Sequence, residues 1–159
     1  MPARKTKSRK VSRAKRLEAI RRKLGISQKV RAVSAVADIL QQTLESRDVD
    51  MVMVVNRILT QTPASGVRCT RHPDKWVIEG DDFRQELKAV PRTLNMLRLM
   101  CARLAVLSLE TTGKESFLYG GEGDILLRNT NRGFHRFHVQ TMNTPSEQWF
   151  EITPMQDEA

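Results

Sequence analysis

Long apolar runs are missing from this 159-residue sequence. A membrane-crossing helix needs about 20 consecutive apolar residues. The most apolar stretch, LNMLRLMCARLAVLSL, is interrupted by Arg98 and Arg103, so no membrane contact is expected. The basic start has no apolar stretch behind it, so no secretory signal is expected either. Cysteine is scarce, with Cys69 and Cys101 the only two. Two cysteines give no disulfide framework, and both thiols are expected to be reduced. Together these absences predict an intracellular setting, cytoplasmic or nuclear, or the interior of a virion, and not secretion.

Catalytic signatures are absent as well. The chain has no GxSxG, no HExxH and no Walker loop. GGEGD at 120–124 is glycine-rich, but it leads into a strand-like segment and not a helix start, and Glu122 and Asp124 would repel phosphate. It reads as a turn. Nothing here is a positive sign of an enzyme or of a bound cofactor.

Acidic residues are nearly absent from the first 31 positions, and this last shortage points to what is present. Residues 1–31 hold thirteen basic residues against Glu18 alone, a formal charge of +12. The remaining residues hold fourteen basic against seventeen acidic, a charge of −3. The net +9 therefore belongs to an N-terminal arm on a near-neutral body. Residues 1–12 have almost nothing to bury and read as disordered in isolation. From Arg13, Leu17, Ile20 and Leu24 fall at the spacing of one helix face, with Ser12 a possible cap and Gly25 a possible stop. The remaining faces are cationic. Arg4, Lys5, Lys7, Arg9, Lys10, Arg13, Lys15, Arg16, Arg21, Arg22 and Lys23 form the expected contact set for a polyanion. Cations at this density release counterions from nucleic acid, so affinity falls with salt. The arm has no aromatic residues to stack on bases, which predicts contacts mostly to the phosphate backbone with poor sequence preference. A localisation signal, a transit peptide or an arm for an acidic protein are the competing readings.

KLGIS around Gly25 invites a helix-turn-helix reading. That motif wants a small residue where Arg21 stands and apolar residues where Arg31 and Ser34 stand, so the plainer expectation is two helices joined by a glycine stop. The second would start at Ser27 and carry Val30, Val33, Val36 or Ala37, Leu40 and Leu44. Asp48 or Asp50 then caps a short buried helix over Met51–Leu59 that ends before Pro63. Val67–Thr70 and Trp76–Ile78 read as a hairpin about His72-Pro73-Asp74. Asp82 with Gln85 resembles a capping box and predicts a helix, broken near Val90 by Pro91. RTLNMLRLMCARLAVLSLE follows as the central core helix, with Leu94, Leu97, Met100, Cys101, Leu104 and Leu107 along one side. ESFLYGG, GDILLRNT, GFHRFHVQTM and QWFEITP are four strand-like pieces joined at Gly120-Gly121, at 129–133 and at 143–146.

The expected fold class is α+β: a basic N-terminal arm and helices, then a C-terminal antiparallel β-meander packed on a long core helix. The expected division is an arm at 1–31, one domain at 32–154 and a loose acidic tail at 155–159.

Two further constellations matter. Cys69-x-x-His72 and His135-x-x-His138 supply four possible zinc ligands, the basis of a weaker alternative, a zinc-containing domain or enzyme. Residues i and i+3 on one strand point to opposite faces, which argues against it. His135 or His138 acting in acid–base chemistry would need Asp124 or Glu122, and nothing in the spacing brings them together. GFHRFHVQ also alternates aromatic and basic residues. Phe134, Arg136 and His138 would share one strand face, able to stack bases and touch phosphate. The favoured reading is a one-sided sheet with Phe137 and Val139 in the core.

The expected function is a non-enzymatic protein associated with DNA or RNA, of the packaging or ribonucleoprotein kind, with the body used for assembly or partner contacts. The alternative is an interaction subunit whose helix docks Leu17, Ile20 and Leu24 into a groove of an acidic protein or ribonucleoprotein partner.

Overall fold

The structure, a computed structural model, describes residues 6–93, 95–112, 119–129 and 133–156. Helix α1 runs unbroken over Thr6–Glu45, 40 residues and about 60 Å at 1.5 Å per residue. It replaces the two helices expected from the glycine stop. Ser12, Gly25 and Ser27 lie inside it, and residues 6–12, expected to be disordered, are its first turns. An interior glycine costs a helix only about 1 kcal/mol relative to alanine. That is too little to end a segment flanked by Lys, Arg, Leu, Ala and Gln. Residues 1–5 lie outside the described residues. The C-terminal part of α1 buries Val36, Ala37, Ile39, Leu40 and Leu44.

Helix α2, Met51–Gln61, matches the expected short buried helix. Asp50 Oδ1 accepts from the N–H groups of Val52 at 3.0 Å and Met53 at 3.3 Å, satisfying two donors that the first turn leaves free. Val54, Val55, Ile58 and Leu59 are buried.

The strands are β1 Val67–Arg71, β2 Lys75–Gly80, β3 Phe83–Lys88, β4 Gly120–Asn129, β5 Gly133–Asn143 and β6 Gln148–Met155. They form one six-stranded sheet in the order β3-β2-β1-β6-β5-β4, with every pairing antiparallel. Two three-stranded meanders are thus zipped together by β1 and β6. Strand β3 corrects the helix expected from Asp82 and Gln85. Phe83, Gln85 and Leu87 alternate with exposed Arg84, Glu86 and Lys88, and ion pairs of Lys75 with Glu86 at 3.0 Å and Arg84 with Glu79 at 2.8 Å bind it to β2. Tertiary pairing overrides the local helical preference here.

The turn expected at GGEGD is also corrected, because it forms the first half of β4. Gly120 has φ +140°, and a Cβ there would lie 2.8 Å from the Thr141 carbonyl oxygen. The glycine therefore permits close strand approach. Residues 115–118 of the expected strand ESFLYGG lie outside the described residues. Met155, expected in the loose tail, pairs with Arg136 in β6, and residues 157–159 lie outside the described residues.

Pro91 opens a 3-10 turn, Pro91–Thr93, and so separates a strand from a helix where a break between two helices was expected. Helix α3, Met96–Thr112, packs on β4, β5, β6 and α2. Leu97, Met100, Cys101, Leu104 and Ala105 are buried, whereas Leu99, Val106 and Leu109 are exposed on its far side. Leu94 lies outside the described residues.

The helices cover one face of the sheet. Strand alternation turns Val67, Cys69, Trp76, Ile78, Leu87, Ile125, Phe137, Val139, Phe150 and Ile152 into the common core. Phe137 and Val139 are buried, as the one-sided reading expected. The fold is α+β, and among the described residues no helix covers the outer face of the sheet.

Candidate nucleic-acid interface

The N-terminal part of α1 carries most of the expected contact set. Lys15, Arg16, Arg22 and Lys23 lie on it with exposed side chains. Lys7, Arg9, Lys10, Arg13 and Arg21 are in the same helix, and their side chains lie outside those described, as does that of Leu24. Arg4 and Lys5 are outside the described residues. Leu17 and Ile20 are 54% and 52% exposed. Leu17 and Ile20 of the apolar stripe and the described charged side chains therefore meet solvent, and the first buried residue among the described side chains of α1 is Val36.

A helix that packs on its own body hides its apolar stripe; Leu17 and Ile20 are not hidden. Glu18 is the one acid of the arm, and it pairs with Arg22 at 3.5 Å with both side chains mostly exposed. Such a pair contributes little and leaves the guanidinium available. The described side chains at 15–20, 22 and 23 thus present exposed cations along this part of the helix.

The outer sheet face has a different electrostatic character. Arg68 sits 4.1 Å from the centroid of the Trp149 ring and 3.4 Å from Glu151. Lys75 and Arg84 hold Glu86 and Glu79 as above. The side-chain hydrogen bond from Lys75, first, and the charges around it hold the Glu86 carboxyl below its ordinary range. These cross-strand pairs neutralise the β1–β3 half of the face.

The histidines part company. His138 reaches Asp124 across the β4–β5 pair, Nδ1 to Oδ1 at 3.0 Å, and its Nε2 lies 3.6 Å from Glu122. Gln140 Nε2 donates to the same Glu122 at 3.3 Å. The register that pairs Asp124 with His138 makes this cluster, and sequence spacing alone did not reveal it. A strand-pairing assignment would have been the signal needed. His135 points to the opposite side of β5, opposite Leu127.

The four possible zinc ligands do not converge. Cys69 is fully buried under the helices, His138 is on the outer face, and His135 faces away from His138. Among the described residues, no group of three or more His, Cys, Asp or Glu is arranged to hold a metal ion.

Both cysteines are shut in the core. Burial pushes the Cys69 thiol far up, and the neighbouring Cys101 adds to the effect. Burial pushes Cys101 up to about 12. The Cys101 Sγ lies 3.6 Å from the Trp149 carbonyl oxygen and 3.8 Å from that of Met142. Thiols held protonated in this way are poor nucleophiles. No protein-family model matches the chain, and no curated protein matches it.

Proposed function

We propose that this chain is a non-enzymatic, nucleic-acid-associated protein. Its cationic N-terminal helix grips the phosphate backbone of DNA or RNA, and its α+β body serves assembly or partner contacts. The observation that carries this reading is the placement of residues 6–31, with eleven basic residues against Glu18 alone, on a helix whose described side chains at 15–20, 22 and 23 are all exposed. A rod of this kind meets phosphates along its length with no base reader, so recognition is electrostatic and mostly independent of sequence. An intracellular or virion-interior location fits that role.

A salt titration of binding to unrelated duplex DNA and RNA probes tests it. The wild type is set beside a variant carrying Lys15→Gln, Arg16→Gln, Arg22→Gln and Lys23→Gln. Each neutralised residue that meets a phosphate of duplex DNA should lower the slope of log K against log salt by about 0.9, so the variant should lose up to about 3.6. Absence of binding at moderate salt, or binding indifferent to salt, would sink the proposal.

The exposure of Leu17 and Ile20 favours a second reading, in which the same helix inserts its apolar stripe into a partner's groove. Leu17→Asp and Ile20→Asp should abolish a groove interaction while hardly changing polyanion binding.

A further inference from the structure

The open sheet face is not uniform. Towards the β4–β5 hairpin, the cross-strand register places Arg128 opposite Phe134, and Arg136 between Leu126 and Met155. All five point outward. Phe134 is 54% exposed, Leu126 42% and Met155 41%. More than half of this aromatic residue is open to solvent.

The charges around it differ from those elsewhere on the face. Arg68, Lys75 and Arg84 each hold a carboxylate. Among the described residues, neither Arg128 nor Arg136 has an ion pair or hydrogen bond from its side chain. The ring is thus set between two guanidiniums that have no partner among the described residues, one directly across the strand pair and one two residues along, about 7 Å away. Asp124 and Glu122, gathered on His138, bound this patch on the side away from the hairpin and repel phosphate there.

We infer that this end of the sheet binds unpaired nucleic acid, with a base stacked on Phe134 and phosphates on Arg128 and Arg136. The inference rests on the nucleic-acid reading above and adds what the arm lacks. The arm has charge without aromatics and accepts any phosphate backbone. The sheet face has a ring, which only a base free of its own stack can cover. A duplex keeps its base faces stacked and offers the ring nothing. The two surfaces together give a protein that holds either form through the arm and prefers the single strand through the sheet.

The test is fluorescence anisotropy on the full chain, with a labelled oligothymidine and a labelled duplex of equal length at moderate salt. The variants are Phe134→Ala, Phe134→Leu and the pair Arg128→Gln with Arg136→Gln. Phe134 is exposed, so its replacement leaves the core intact, and far-UV circular dichroism verifies this. Phe134→Ala should lose about five- to 150-fold in single-strand affinity, the range of one base–aromatic stack, with duplex affinity and its salt slope unchanged. Phe134→Leu keeps apolar surface but no ring and should lose as much. The double arginine variant should weaken single-strand binding and lower its salt slope by up to about 1.4.

If duplex binding persists with its salt slope while Phe134→Ala leaves oligothymidine binding unchanged, the inference is overturned and the arm proposal stands. If Phe134→Leu retains wild-type affinity where alanine does not, the ring is an apolar contact only and the stacking assignment fails. If the wild type binds neither probe, the nucleic-acid reading itself fails, and this inference with it.

Discussion

Gly25 is the position where two pictures of the arm predict opposite signs. In α1 it has 19 helical residues before it and 20 after it. Replacement by alanine in a continuous helix removes the backbone entropy that glycine loses, a gain of about 0.8–1.0 kcal/mol. That is roughly a four- to fivefold shift towards the unbroken helix over the broken one. If Gly25 instead ended one helix in a left-handed conformation, alanine would be penalised there by a similar amount. The first core residue among the described side chains of α1, Val36, is eleven positions further on, about 16 Å along the axis. The substitution should therefore act on residues 6–31 and leave global unfolding of the body little changed. Far-UV circular dichroism at low temperature should show increased helicity. Hydrogen exchange of peptides from 6–31 should slow by about the same four- to fivefold. Faster exchange or lower helicity in Gly25→Ala would refute the continuous helix, and with it the rod-like presentation of charge.

Other outcomes follow from the body. Asp50→Ala should remove the cap of α2 and destabilise the fold by about 1 kcal/mol, a fall of about 2–4 °C in Tm. No change in thermal melting would mean that the two hydrogen bonds to Asp50 are replaced by water without loss. The thiols set a limit at high pH. Cys101 ionises near 9 when free and only near 12 when folded. Its protonated state is therefore shared by both forms below pH 9, and stability falls as pH rises above it. At pH 10 the loss should be about 1.4 kcal/mol for this group, read by urea unfolding at pH 8 and pH 10. Because burial also pushes Cys69 up, Cys101→Ala should lessen that dependence by about half of the thiol contribution, and an unchanged slope would show that burial of the Cys101 thiol is not part of its origin. Both cysteines should resist a thiol reagent at pH 8 until urea unfolds the chain.

The elements that were legible from the residues had local causes. The capping aspartate before an apolar run, with Pro63 beyond, gave away α2, and His72-Pro73-Asp74 gave away the β1–β2 hairpin. What was misread depended on partners. DDFRQELKAV carries helix-forming residues, yet its alternation suits an edge strand once Lys75 and Glu79 are in place to pair with Glu86 and Arg84. GGEGD has the composition of a turn, and only the approach of Thr141 makes its first glycine a strand residue. Gly25 resembled a stop because the glycine rule weighs one residue, whereas a helix weighs the whole segment. For the candidate interface, the charge of the arm was plain from composition. The Asp124–His138 contact and the Arg128–Phe134–Arg136 grouping were not, because both arise from the β4–β5 register.

The zipping of β1 to β6 has a consequence for how the chain reaches this state. β6 is the last of the six strands to be synthesised, yet it lies at the centre of the sheet. Arg68 and Glu151, which meet across that seam, are 83 residues apart. Long-range closure of this kind is slow. The β1–β3 meander must wait with the hydrogen-bonding edge of β1 bare, beside residues that will line the core. An open edge of that sort is a pairing template. A β6 from a second copy offers the same backbone groups and the same Phe150 and Ile152, so refolding at high concentration favours strand exchange between chains.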